Sequence, residues 1–338
     1  MEVLIYLQTD RKEDVMNILI TNIGRRGYLV DFIKENADFK GKVFVSDCDN
    51  TASGLYGTND GFFILPKPVE NEILYVKSLI NVCKQNNIDA VLPVIDPEIY
   101  ILSNYRSNFS EEGIKVIVSD RRVLDICFNK IKMNEFLEHI GVLYPKTYDT
   151  IQNFKSALEQ GVIEFPVVLK PIYGSGSIET CIVKDIRQLE LLFHDGMIIQ
   201  QRISGIEYGC DIFNTFEGKT IRCVMKKKIA MRSGETDKSI TVKNENVKKV
   251  ALYLGKKLGH IANLDCDMIE EGENVYVIDL NPRFGGGYPA THLSGVNLLS
   301  ILIKLLEGKD VEPEYRFVKS PDAPNMIITN LLIESCFF

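Results

Sequence analysis

Asp279 and Asn281 stand two residues apart in the stretch VIDLNPRFGGG, residues 277–287. Apolar residues lead into them, so Val275–Leu280 reads as a strand, and residues two apart on a strand share a face. Two oxygen-bearing side chains then project together, with Arg283 and the bare backbone of Gly285–Gly287 just beyond. A second acidic pair, Asp265 and Asp267, precedes them by one hairpin. Carboxylate and amide oxygens without sulfur suit Mg2+, which takes few protein ligands and bridges to substrate phosphates. A solvated polar sheet face is the ordinary alternative. Against it, Pro282 stops the strand where the polar groups converge.

The loop YGSGS offers backbone N–H groups and hydroxyls through Gly174, Ser175, Gly176 and Ser177, a chemistry that cradles phosphates. On its own such a loop is more often a hairpin turn, and no G-K-[ST] follows to make it a Walker A motif. Lys170 ends the apolar strand FPVVLKP four residues earlier, and Lys130 precedes an amphipathic helix. Singly each reads as a surface lysine with a snorkelling stem. Together with the loop they suggest a polyphosphate clamp. RSGETDKSIT, residues 232–241, reads as a polar flexible loop. His139, His194, His260 and His292 show no triad or ligand spacing, although His292 lies just beyond the glycine run.

The elements that must position these residues alternate in type. NILIT, KVFVS, AVLPVID and KVIVS are strands separated by helical patterns, which implies an open parallel sheet over about residues 16–120. The first loop, NIGRRG, lacks the G-x-G-x-x-G of a dinucleotide fold. Residues 121–203 read as a compact smaller unit, with a helix at Met133–Ile140, the strand FPVVLKP, the helix DIRQLELLF capped by Asp185, and the strand MIIQQRI. Residues 204–338 read as paired strands, a helix near 246–259, the acidic hairpin and the apolar helix GVNLLSILIKLLEG. Residues 1–15 read as an extension before a natural start at Met16, without the pattern of a signal peptide.

A net charge of −7 argues against nucleic-acid binding as the main task. Eight cysteines without C-x-x-C or zinc spacing read as reduced thiols of a cytoplasmic protein. No apolar run reaches membrane-spanning length, so no membrane partner is expected.

Taken in order, FNKIKMNEFLEHIGVLYPKT, VVLKPIYGSGS, QQRISGIEYGCDIF, GETDK and VIDLNPRFGGG resemble the ATP-grasp superfamily, most of all its single-module members similar to the carbamoyl-phosphate synthase large subunit. The resemblance covers nearly the whole chain from Met16. It implies a mixed α/β and α+β fold: a Rossmann-like pre-ATP-grasp domain at 16–120, then a two-part ATP-grasp fold with a small lid at 121–203 and a large part at 204–338. It implies ATP and Mg2+, with Mn2+ as the substitute ion.

Carried over residue by residue, Lys130 and Lys170 match the lysines on the nucleotide phosphates, and Gly174, Ser175, Gly176 and Ser177 the flap over them. Gln201, Arg202 and Ile203 match the hinge at adenine, and Glu207 the acid at the ribose. Asp279 and Asn281 match the metal pair, and Arg283, with Lys170, the charge that stabilises the transferring group. The metal carboxylate is more often Glu than Asp. The upstream ligand is Asp265 by one hairpin register and Asp267 by a shorter one, with Asp265 placed first.

The implied activity is an ATP-dependent ligase that turns a carboxylate into an acyl phosphate and couples it to an amine, on small molecules, in an assembly for which a homodimer is the common form. A small-molecule kinase that stops at phosphoryl transfer, and a nucleotide-binding regulator without turnover, are the alternatives. The resemblance further places Arg232, Glu235, Lys238 and His292 at the acceptor pocket, with Asp96–Glu98 close to it.

Overall fold

The computed structural model describes residues 15–174, 179–232, 235–313 and 327–329. Its first sheet holds β1 (Ile18–Thr21), β2 (Val43–Asp47), β3 (Phe62–Ile64), β4 (Ala90–Pro93) and β5 (Lys115–Val116), in the order β3-β2-β1-β4-β5. All neighbours are parallel. Ile18, Leu19 and Ile20 are buried in an unbroken apolar run, as a strand covered on both faces requires. The strand order reverses between β1 and β4, and the crevice at their carboxyl ends is where such sheets take ligands. Asp96 begins the helix Asp96–Asn104 there. Two details differ from the sequence reading. The edge strand β3, three apolar residues that are largely exposed, is not among the strands read from sequence, and pairing in β5 stops at Val116 rather than running through KVIVS.

The smaller sheet is antiparallel: β6 (Thr147–Tyr148), β7 (Val167–Pro171), β8 (Cys181–Val183) and β9 (Met197–Gln201), in the order β6-β9-β7-β8. Helices Ile151–Glu159 and Ile186–Leu192 are capped by Thr150 and Asp185, whose side chains accept from the third backbone N–H beyond. Their apolar faces share a core with the sheet, centred on Phe154, Leu169 and Ile199.

Helices Arg121–Phe128 and Lys130–His139, read from sequence as part of this unit, pack elsewhere. Val123, Cys127, Met133 and Leu137 join the core of the large sheet. The small core therefore starts near Tyr148 rather than at residue 121. Helical spacing marks an apolar face, and the choice between two waiting sheets lies in the tertiary structure.

The large sheet comprises β10 (Ile206–Asn214), β11 (Thr220–Arg232), β12 (Glu235–Val242), β13 (Ala262–Glu271), β14 (Asn274–Asn281) and β15 (Ile327–Thr329). Its order is β14-β13-β10-β11-β12-β15, antiparallel throughout. Helix Glu245–Leu258, capped by Asn244 and ended by Gly259 at φ 67, covers one face. The stretch 232–241, expected as a flexible loop, is mostly strand β12: Ser239, Ile240 and Thr241 pair with Lys228, Lys227 and Lys226. Cross-strand pairing overrides its polar composition. Helix Leu298–Leu306 turns back to pack on the first sheet, where Leu298, Leu299 and Leu302 share a core with Ile18, Ile20 and Ile33.

Candidate active site

The three sheets meet around one cavity of about 1310 Å³. Lys130, Lys170, Gly174, Gln201, Arg202, Ile203, Glu207, Asp265, Asp267, Asp279, Asn281 and Arg283 all line it. Residues more than 150 positions apart are thus brought to one place. Ser175, Gly176 and Ser177 lie outside the described residues.

The acidic hairpin supplies one wall. Its register sets Asp267 opposite Asp279 and Asp265 opposite Asn281, with a bulge between Asp267 and Met268. Asn281 Nδ2 lies 3.4 Å from Asp279 Oδ2. Asp265 turns to Arg283, whose Nη1 donates to its Oδ2 at 3.3 Å. A Cβ on Gly285 would stand 1.9 Å from that Oδ2, so residue 285 must lack a side chain for the pair to form. Asp267 instead accepts from Lys228 Nζ at 2.8 Å. Burial pushes the Asp267 carboxyl up to about 6; Lys228 opposes the rise and Asp265 and Asp279 add to it.

Among the described residues no three Asp, Glu, His or Cys side chains form a ready metal cluster. Two carboxylates and an amide oxygen crowded at one strand end still fit a hard divalent ion that takes its remaining ligands from phosphates and water. The like-charge push on Asp267 is what such an ion would relieve.

The lysines close on the same strand end. Lys130 Nζ donates to the Gly174 carbonyl at 2.6 Å and lies 3.9 Å from Asp279 Oδ1. Lys170 Nζ donates to the Ile278 carbonyl at 3.4 Å. Burial pushes its ammonium down to about 8, although Asp279 pulls the other way. At the hinge, Gln201 N donates to Lys146 O at 2.7 Å, and Ile203 is buried beside Ile269 and Ile278 in the cavity lining. Glu207 accepts from Lys228 Nζ at 2.7 Å.

Arg283 is held from two domains. Its Nε donates to Asp96 Oδ1 of the first domain at 2.9 Å, alongside the bond to Asp265. Burial disfavours its charge, but Asp96 and Asp265 more than offset this and raise its pKa. Asp96 and Pro97 of the DPE stretch thus line the cavity. Glu98 points inward to Tyr75, fully buried, and burial lifts it to about 7.

His292 does not line the cavity. It stacks on Phe32 at 3.6 Å and its Nε2 meets Glu35 at 2.7 Å, at the contact with the first domain. Of the 232–241 stretch, Thr236 lines the cavity whereas Arg232 and Lys238 do not; the side chain of Glu235 lies outside the described residues.

Sequence reading missed Lys226 and Lys228. The run MKKKI gave a signal, since alternate lysines of a strand share a face. Lys226 Nζ pairs with Asp211 at 2.5 Å, and Asp211 also accepts from Asn263 Nδ2 at 2.9 Å and from Thr291 Oγ1.

Comparison with known proteins fits this geometry. A family model described as an ATP-grasp domain matches residues 127–287. The chain carries an ATP-grasp domain over those residues. Residues 18–117 match the family of PylC-like N-terminal domains. The chain is 26% identical over 293 residues to carbamoyl-phosphate synthase of Methanobrevibacter smithii, covering 78% of this chain and 76% of that one. It is 22% identical over 289 residues to the arginine-specific carbamoyl phosphate synthase large chain of Bacillus subtilis, covering 80% of this chain. It spans only 27% of the length of that relative.

Among solved structures, biotin carboxylase of Campylobacter jejuni superposes with a TM-score of 0.71 at 20% identity, covering 88% of this chain and 72% of the other. L-amino acid ligase of Bacillus licheniformis gives 0.67 at 18%, covering 88% and 75%. At these identities the superpositions establish the fold. ATP-grasp ligases in general use ATP and Mg2+ to activate carboxylates. No helix among the described residues is long and apolar enough to cross a membrane.

Proposed function

We propose that the chain is an ATP-dependent ligase that activates a small carboxylate as an acyl phosphate and joins it to an amine, releasing ADP and phosphate. The observation that carries this reading is the cleft itself. A half-buried lysine within ion-pair distance of no carboxylate among the described residues, Lys170, faces an oxygen-rich strand end, and a doubly braced arginine lines the same cavity. Val168, Ile203, Ile269 and Ile278 give an apolar bed for a purine next to the hinge, and Glu207 suits the ribose hydroxyls.

The register favours Asp267, with Asp279 and Asn281, as the metal-holding set. Asp265, placed first by sequence, is engaged by Arg283. Magnesium, when bound, neutralises phosphate oxygens that would otherwise repel an incoming carboxylate by about 4 kcal/mol at 4 Å and an effective dielectric near 20. Lys130 and Lys170 hold the phosphates in line. Arg283 presents its remaining N–H groups to the reacting anion. A carboxylate oxygen attacks the γ-phosphorus and ADP leaves with the bridging electron pair. The amine nitrogen then attacks the carbonyl carbon, and phosphate departs with the C–O pair.

The test is ADP release from MgATP against pooled carboxylic acids, with and without pooled amino acids, with Lys170→Ala as control. Release that needs both pools and vanishes in the variant is the expected result. Release with one pool and a stable phosphorylated product would instead identify a kinase. ATP binding without release from any pool would favour a regulator.

A further inference from the structure

Lys228 lies in the middle of the nucleotide wall, and nothing in the reaction above gives it work. Its side chain is 6% exposed, and its ammonium sits 2.7 Å from Glu207 Oε1 and 2.8 Å from Asp267 Oδ1. These partners belong to different strands. Glu207 is on β10, next to Lys228's own β11, but Asp267 is on β13, one strand further. To reach it, the lysine must cross β10.

Gly209 provides the crossing. It sits on β10 directly opposite Asp267. A Cβ there would stand 3.5 Å from Lys228 Cε and 3.7 Å from Asp267 Oδ1, so any longer side chain would displace the bridge. One fixed cation thereby joins the acid suited to the ribose to an acid suited to the metal.

We propose that Lys228 is the resident counter-ion of the metal site, holding Asp267 until a nucleotide arrives and so making nucleoside triphosphate and divalent cation bind as a unit. The inference rests on the proposed roles of Glu207, Asp267 and Asp279. An ammonium 2.8 Å from Asp267 competes with a second cation for the same oxygens, so free metal binds poorly. The same ammonium orients Glu207, so the nucleotide binds well. A group that merely supported the fold would affect both affinities in one direction. Lys228 affects them in opposite directions.

The experiment measures free Mn2+ by its EPR signal, without nucleotide, in the full-length protein and in Lys228→Met, and ATP affinity in both by calorimetry with Mg2+ present. Asp279→Asn identifies the signal that belongs to this site. Lys228→Met is expected to bind Mn2+ about ten-fold more tightly and ATP about ten-fold more weakly, while Lys228→Arg keeps the unmodified pattern. Gly209→Val, which pushes the lysine aside without removing it, is expected to follow Lys228→Met and serves if that variant does not fold. Mn2+ affinity that is unchanged or lower in both neutralised and displaced variants overturns the proposal. Failure of the unmodified protein to bind ATP overturns the ligase reading instead, and the Mn2+ comparison still decides the role of Lys228.

Discussion

The two sheets that flank the cavity hold their lysines in opposite ways. On the small-sheet side, Lys170 lies within ion-pair distance of no carboxylate among the described residues, and burial lowers its pKa to about 8. On the large-sheet side, Lys226 and Lys228 each hold carboxylates at 2.5–2.8 Å. Burial lowers these two as well, but the neighbouring acids outweigh it and both are raised. Burial alone therefore does not separate a structural cation from a ligand-seeking one; the partner does. A paired lysine is satisfied within the fold. An unpaired one is strained until an anion comes.

The sharpest way to break this contrast is to neutralise one lysine of each kind. Lys226→Met leaves Asp211 charged and buried, which costs about 3–5 kcal/mol and should move the urea midpoint well down. Lys170→Met removes a charge that the fold does not pair, so its urea midpoint should stay level or rise. Its ATP-dependent turnover should fall by about 10²–10³-fold, the usual effect of losing one charge-stabilising donor. Equal destabilisation by the two variants would end the distinction.

Asp96→Asn probes a milder version, since it loosens Arg283 without touching the cleft floor. Turnover should drop about ten-fold, as when an outer partner of a site is lost, with ATP affinity unchanged. The smallest effect is with pH. Below about 8 Lys170 carries its proton and ATP affinity should be level. Above that pH, affinity should fall, by at most about ten-fold per unit, because the free protein must take up a proton to bind. Calorimetry across pH 7–9.5 reads this directly, and Lys170→Arg, which stays protonated throughout, should flatten the curve (roughly, since guanidinium pKa values lie above 12).

The features legible in sequence were local ones. Period-two spacing put Asp279 and Asn281 together, Pro282 stopped the strand, and the end of an apolar strand singled out Lys170. The fold brings them together in one cavity. What escaped depended on long-range register. Lys228 reaches Asp267 only because three strands align and Gly209 is bare between them. Asp96 braces Arg283 from 187 residues away. Alternation puts Asp265 and Asp267 on one face, and only the hairpin register shows which faces which partner: Asp265 opposite Asn281 and Asp267 opposite Asp279. The stretch 232–241 is polar enough for a loop and became a strand because β11 offered it an edge.

Helix Leu298–Leu306 closes the core of the first sheet, although nearly the whole polypeptide separates them. On the ribosome, strands β1, β2 and β4 must wait, part of one greasy face uncovered, until that helix emerges. That core is thus completed only after β6 to β14 have been made, and the interval before it is when a chaperone would have most to hold.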